Sequence, residues 1–403
     1  MPVRISAWTW AAALAAGHTV FGQAPQPLTL REAVDSAVAR GTRVALARAD
    51  SATARAGLTA AREWPNPTLS FQYTRDTPHY HGFVEFPIDY PWLRSARIHS
   101  ASLANRSAGY RFAFERAAAR FDAETTYVRA QVAQEHARLS HLNGVYADSL
   151  LRLAHVRREA GDASELDVEL ATVTAGQAAN AAAADSLAAV GAVLDLQALL
   201  GMPSDQVLVV LADSLTLVAP AANTDTAAGR TLQVAAAEET LASERSALSV
   251  AKRAAFATPS ISLGVEGGDP TQPYPLPAAT VVFPFPLFNQ NGGQVATEAA
   301  NVSRAQVELA RARRESAAAI AAATRELNAA LLRAKRDRGL WESANRVAAM
   351  SLTAFAEGAQ ALPSVLEARK SARDALVQYV DDVGAAAAAA AAVRLFTSRV
   401  GDQ

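Results

Sequence analysis

The 403-residue chain has no cysteine. That excludes a disulfide framework, a cysteine-based zinc site, a thiol nucleophile and a lipid-modified N-terminal cysteine. It has no charge excess: 38 Lys and Arg against 39 Asp and Glu leave a formal net charge of −1. The basic footprint of a nucleic-acid partner is therefore missing. Histidine is scarce and confined to the first half, at positions 18, 79, 81, 99, 136, 141 and 155, with no His-x-x-x-His pair of a helical metal site. His79-Tyr80-His81 is the one suggestive cluster, since two rings on one strand face could touch a metal ion. No third ligand accompanies it, so no metal site is assigned. Gly267-Gly268-Asp269-Pro270 is turn chemistry, and Gly292-Gly293-Gln294 lacks the lysine of a phosphate loop. No motif organises a Ser, His and Asp set. We expect neither catalysis nor a cofactor.

Long apolar runs are also lacking. A run over about 7–16 follows Arg4 and precedes Gly22-Gln23-Ala24, the layout of a secretory leader, so residues 1–24 are expected to be a signal peptide. The polyalanine run 385–392 lies between Asp381, Asp382 and Arg394 and reads as part of a long helix. No transmembrane helix is expected.

What is present is unevenly distributed. The chain holds 13 Phe, 5 Trp and 8 Tyr, and half of these 26 fall within 64–92 and 256–288. Both segments follow a helical pattern stopped by proline. Leu69, Phe71 and Tyr73 alternate with Ser70, Gln72 and Thr74; Ile261, Leu263 and Val265 alternate with Ser260, Ser262, Gly264 and Glu266. This is the period of strands with one greasy face. Second strands are expected over 84–88, with Val84, Phe86 and Ile88 on one face, and over 278–285, with Ala279, Val281, Phe283 and Phe285 on one face. The turns between strands are expected at 76–82 and 267–277.

The halves repeat. Phe86-Pro87 and Gly161 recur as Phe283-Pro284 and Gly358 at one offset of 197 residues. Each half reads helix, strand, turn, strand, very long helix, glycine turn, long helix. The very long helices are expected over about 93–160 and 292–357, roughly 100 Å each at 1.5 Å per residue. They return over 164–200 and 363–399 as antiparallel coiled-coil hairpins. The organisation expected for 25–403 is repeat 1 over about 28–204 and repeat 2 over about 228–400. Strand hairpins fall at about 67–90 and 259–286, and helical tips at about 159–168 and 356–367.

Aromatics gathered on strand hairpins with one apolar face are the pattern of a membrane β-barrel's girdles. Four strands cannot close a barrel, since bacterial examples begin at eight, and open edges are not tolerated in lipid. Hairpins like these enter a membrane only if several chains share one barrel.

The tandem repeat, the opening LTLREAVDSAVARG (28–41), the helix-breaking WPNPTLSF (64–71), VVFPFPLF (281–288) and the two glycine turns resemble the TolC-like outer-membrane efflux proteins over about 28–400. WPNP followed by a strand is most similar to the outer-membrane subunits of heavy-metal cation efflux systems. The resemblance implies a mainly α fold with a small β part: tandem-duplicated long antiparallel coiled-coil helices plus two β-hairpins, assembled as a trimeric α-barrel topped by a shared 12-stranded β-barrel. It implies a homotrimer in the outer membrane extending into the periplasm, a periplasmic adaptor, a proton-driven inner-membrane pump, and passive export of metal cations or small toxic compounds. The exit duct of a type I protein secretion system is the alternative within the same fold. A soluble periplasmic coiled-coil adaptor would need a single hairpin with β-domains instead of this duplication.

The lipid-facing residues implied are Leu69, Phe71, Tyr73, Val84, Phe86, Ile261, Leu263, Val265, Val281, Phe283 and Phe285. The periplasmic gate implied is Gly161, Asp162 and Asp167 at the first tip, and Gly358, Gln360, Ser364 and Glu367 at the second. Gln360 and Ser364 stand where the best-known member carries Arg and Asp, so a gate built on Gln and Ser hydrogen bonds, or on constriction by tip side chains, is expected in place of an Arg–carboxylate latch. Asp162, Ser164 and Asp167 also suit helix N-capping. Arg94, Arg97, Arg106 and Arg111 either line a tunnel mouth or solvate a helix face.

Overall fold

The computed structural model describes residues 26–217, 230–255 and 258–401; the expected signal peptide lies outside the described residues. In chain order the elements are β1 (Gln26–Leu28), α1 (Leu30–Arg40), α2 (Thr42–Arg62), β2 (Thr68–Tyr73), β3 (Tyr80–Pro87), α3 (Pro91–Glu159), α4 (Glu165–Leu199), β4 (Val209–Leu211), α5 (Leu232–Arg253), β5 (Ser260–Gly267), β6 (Leu276–Val282), α6 (Gly292–Ala356) and α7 (Leu362–Thr397). The fold is mainly α with a small β part. With 69 and 65 residues, α3 and α6 are each about 100 Å long.

The helices form two rows. Near the sheet, packing contacts run α2–α3–α5–α6; toward the glycine turns they run α4–α3–α7–α6. Alanine and serine allow these approaches. At the α3–α5 seam Ser100 Oγ donates to the Ser243 carbonyl (3.2 Å) and Ser243 Oγ to the Ser100 carbonyl (3.1 Å). Ser107 Oγ donates to the Ala236 carbonyl at 3.0 Å. On the α3–α7 seam a Cβ on Gly384 would lie 2.5 Å from Val132 Cγ2, so any larger residue forces Val132 or the helices to shift. Two helices, α4 and α7, are long and apolar enough by composition to cross a membrane, contrary to expectation. Their apolarity comes largely from alanine, and each is one arm of a hairpin, packed on α3 or α6.

A short collar, absent from the sequence reading, pairs β1 with β4 in parallel. Tyr127, fully buried, donates to the Leu28 carbonyl (2.8 Å) and to Asp213 (3.1 Å), while Asp213 accepts the Leu30 amide (2.6 Å) at the start of α1. Burial pushes the Tyr127 hydroxyl up to about 12, so it stays a neutral donor.

The strands differ from expectation in their bounds. β3 begins at Tyr80, so His81 and Gly82 are strand residues and not turn. β6 ends at Val282, which leaves Phe283 and Phe285 past the strand. Ser260 pairs with Val282; Pro259 turns its carbonyl to β3, where it accepts the Ile88 amide (2.8 Å), and Pro284 has no N–H to carry the β5–β6 ladder further.

Candidate functional site: a two-edged sheet and paired helical tips

The four long strands form one antiparallel sheet in the order β2-β3-β5-β6, so the two hairpins join through β3 and β5. The register sorts the residues onto two faces. One carries Leu69, Val84, Leu263 and Ala279 in a cross-strand row, Phe86, Ile261 and Val281 in a second, and Phe71 packed over Gly82 in a third. Tyr73 and Tyr80 end it, with ring centroids 5.5 Å apart. No charged side chain lies on this face, yet Phe71 is 79% and Leu263 52% exposed. The opposite face carries rows such as Thr68, Glu85, Ser262 and Thr280, and Gln72, His81 and Glu266. The sheet thus has one face suited to hydrocarbon and one to water. Its outer strands β2 and β6 each pair on one side only.

The two histidines do not converge. His79 precedes β3 and its Nδ1 lies 3.2 Å from the Thr74 carbonyl; His81 Nδ1 lies 3.3 Å from Glu266 Oε1 and its Nε2 3.1 Å from Thr74 Oγ1. No group of three or more metal-ligating side chains occurs among the described residues.

At the far end of the helices both turns close on left-handed glycines, Gly161 (φ 84°) and Gly358 (φ 74°). Asp162 N–H reaches back to the Arg157 carbonyl (2.7 Å) and Ala359 N–H to the Ala354 carbonyl (2.8 Å), satisfying helix-end carbonyls. Ser164 and Asp167 form a capping box: Ser164 Oγ accepts the Asp167 amide (3.2 Å) and the Asp167 carboxylate accepts the Ser164 amide (3.0 Å). Asp167 is thus occupied within its own hairpin. Gln360 Oε1 accepts from Ser351 Oγ at 3.0 Å, again within one hairpin, and Ser364 and Glu367 are exposed. Arg158 pairs with Glu165, also within one hairpin.

Two arginines that the sequence reading missed cross between the hairpins near the tips: Arg369 of α7 stacks 4.8 Å over Tyr146 of α3, and Arg157 crosses at the tip itself. From α3 it donates to the Phe355 carbonyl of α6 (3.2 Å) and stacks 4.5 Å over the Phe355 ring. An apolar cluster of Ala154, Val168, Phe355, Leu362 and Val365 backs this contact. A groove of about 660 Å³ opens beside it between the two hairpins, lined in part by Tyr146, Trp341, Glu367 and Arg369.

Higher on the same seam, Arg394 lies 2.6 Å from Glu124, tying α3 to α7, and His136 Nε2 lies 3.0 Å from Asp381 without hydrogen-bond geometry. Buried Asp382 faces Arg333 at 3.0 Å. Its hydrogen bond to Asp382 raises the Asp337 carboxyl above the ordinary carboxylate range. Burial opposes ionisation of Asp382, but hydrogen bonds from Asp337 and Arg333 outweigh it and hold that carboxyl low. The four arginines at the top of α3 are held by hydrogen bonds within the chain. Arg94 donates to the Arg62 carbonyl, Arg97 to Asp89 and the Ala61 carbonyl, Arg106 to Glu239 and Arg111 to Thr240, which fasten α3 to α2, to the link after β3 and to α5.

No family model matches the sequence, and no curated protein matches it. Solved structures do. The chain superposes on the outer membrane protein VceC of Vibrio cholerae with a TM-score of 0.77 at 14% identity, over 92% of this chain and 96% of that one. The fold is that of solved outer-membrane channels. The CmeC outer membrane channel of Campylobacter jejuni gives 0.76 at 15% identity over 91% and 85%. A membrane protein from Pseudomonas aeruginosa gives 0.76 at 18% over 92% and 93%. At these identities the shared property is the fold.

Proposed function

We propose that three copies of this chain form an exit duct in the outer membrane that passes small toxic compounds or metal cations outward from a periplasmic adaptor and an inner-membrane pump. The observation that carries this reading is the sheet: one face is uncharged and apolar, the other polar, and both edges are unpaired. In lipid every backbone polar group must be paired, so such a sheet is stable only when β2 of one copy meets β6 of another. Three four-stranded sheets give a twelve-stranded barrel with the polar face inward. The helical rows support the same closure, because their end helices carry exposed apolar side chains, Leu166, Val173 and Leu187 on α4 and Leu332, Leu340 and Met350 on α6. The helices, about 100 Å long, then form the periplasmic tube.

Closure at the tip rests on Arg157 holding the second hairpin to the first, with the constriction made by Asp162, Gln360, Ser364 and Glu367. The groove beside the contact is the seat for an adaptor's helical tip. The duct binds nothing covalently and turns nothing over; the pump supplies the energy. A passive duct need not recognise its cargo, and the lipid-facing residues are those of the uncharged face, from Leu69 to Val281.

Because the chain has no cysteine, single cysteines placed along β2, as in Ser70→Cys, combined with single cysteines along β6, as in Thr280→Cys, report the closure in cells. Oxidation is expected to give covalent dimers and trimers for the matched pairs and none for a single substitution. Monomers throughout a scan of both strands would reject the shared barrel.

A further inference from the structure

The end of the sheet nearest the helices gathers features that closure of the barrel leaves unused. Four helix ends meet there: α2 and α5 finish, α3 and α6 begin. Arg94 donates to the Arg62 carbonyl at 2.5 Å, Arg253 donates to the Trp92 carbonyl at 3.1 Å, and Asn291 donates to the Ala251 carbonyl at 2.7 Å, which bind the four ends into one belt. The belt is basic. Residues 61–64, 88–98, 251–254 and 283–299 hold Arg62, Arg94, Arg97, Lys252 and Arg253 against Glu63, Asp89 and Glu298, and Asp89 is buried against Arg97 at 2.8 Å. Arg62, Lys252 and Arg253 are exposed. Neither α3 nor α6 has a carboxylate in its first turn that would repel an anion.

The belt is also aromatic. Trp64 (65%), Trp92 (53%), Phe285 (80%) and Phe288 (100%) are exposed, Arg94 stacks 4.5 Å from the Trp64 ring, and Tyr90 and Trp92 stack at 4.4 Å. The opposite, turn end of the sheet has the reverse balance, with Arg75 against Asp76 and Asp269. Complementing the negative ends of α2 and α5 accounts for a cation on each last turn. It does not account for exposed aromatics beside them. Indole rings at the level of the head groups, with exposed cations next to them, match an anionic lipid surface.

We infer that this belt binds the phosphodiester head groups of anionic glycerophospholipids in the leaflet nearest the helices, with Arg62, Lys252 and Arg253 supplying the charge and Trp64, Trp92, Phe285 and Phe288 the interfacial seat. The inference rests on the membrane reading above. It assigns the charge asymmetry a purpose: the protein sits at a set depth, with its helical side against the anionic leaflet.

The test uses the full chain reconstituted in phosphatidylcholine bilayers doped with spin-labelled phosphatidylglycerol or spin-labelled phosphatidylcholine. The motionally restricted fraction gives the relative association of each lipid. One cation near an anionic surface corresponds to about a fivefold gain, so a two- to fivefold preference for phosphatidylglycerol is expected. It should shrink in high salt and vanish in Arg62→Gln/Lys252→Gln/Arg253→Gln, whose trimer mass serves as the check on folding. Equal association of the two lipids, or a preference that survives the triple substitution, overturns the inference. So does loss of the preference on adding inorganic phosphate at constant ionic strength, which would mark a site for free anions. A protein that restricts neither lipid fails the membrane reading itself, a distinct result.

Discussion

At the residue scale the decisive contrast is between two adjacent arginines. Arg157 crosses to the second hairpin, while Arg158 pairs with Glu165 of its own. A cation–π contact and a charge-assisted hydrogen bond together contribute on the order of 2 kcal/mol, roughly a thirtyfold shift in a closed-to-open ratio. Arg157→Ala is therefore expected to raise single-channel conductance or open probability in planar bilayers, and Arg158→Ala to leave both near the parent values. Equal effects would remove Arg157 from the gate. The Asp337–Asp382 pair makes a second prediction, with opposite signs at its two members. Asp382, held low, contributes stability that is present above the ordinary carboxylate pKa of about 4 and lost as pH falls below it. Asp337, held high, contributes stability that is complete below about pH 4 and fades as pH rises through its raised value. Asp337→Asn, which mimics the protonated acid, should raise the melting temperature at pH 7 and leave it little changed near pH 4. A drop at pH 7 would mean that Asp337 is needed ionised. Neither pair was legible in the sequence. Arg157 sits 198 positions from its partner carbonyl, and neighbouring arginines on a last helical turn look alike until the second hairpin is in place. Capping by Ser164 and Asp167 was legible because it is local.

At the scale of elements, periodicity carried most of the fold. Alternation in 69–74 and 260–266, the proline stops and the glycine turns at 161 and 358 all have short-range causes, and the elements they imply are present. The strand ends were misjudged because pairing, a non-local fact, decides them: Phe283 continues the alternation but lies past the last pair, Ser260 with Val282. The collar of β1 and β4 was missed for the same reason, since three-residue strands far apart in sequence carry no period. Helix seams too depend on distant partners. Gly384 reads as one small residue in an alanine run, yet Val132 leaves it no room for a Cβ. Gly384→Val should push α7 from α3 at a cost of about 1–3 kcal/mol for overpacking, lowering the melting temperature. Gly144→Ala, where a Cβ meets nothing within 4 Å, should not. Similar behaviour of both variants would show that the seam yields.

At the scale of the whole molecule, a single chain leaves surfaces uncovered. Its sheet has two unpaired edges and one uncharged face, and its helical rows end in exposed apolar side chains. The chain reads as two similar halves, and four strands per copy give eight strands for two copies and the proposed twelve for three. Composition points the same way: aromatics concentrated in two short hairpins have no covering layer within one chain. The most direct test of the account is the mass of the protein extracted by detergent from the outer-membrane fraction of expressing cells. The account predicts three copies of the chain in one detergent-stable particle. A monomer or dimer recovered in the soluble periplasmic fraction would contradict it.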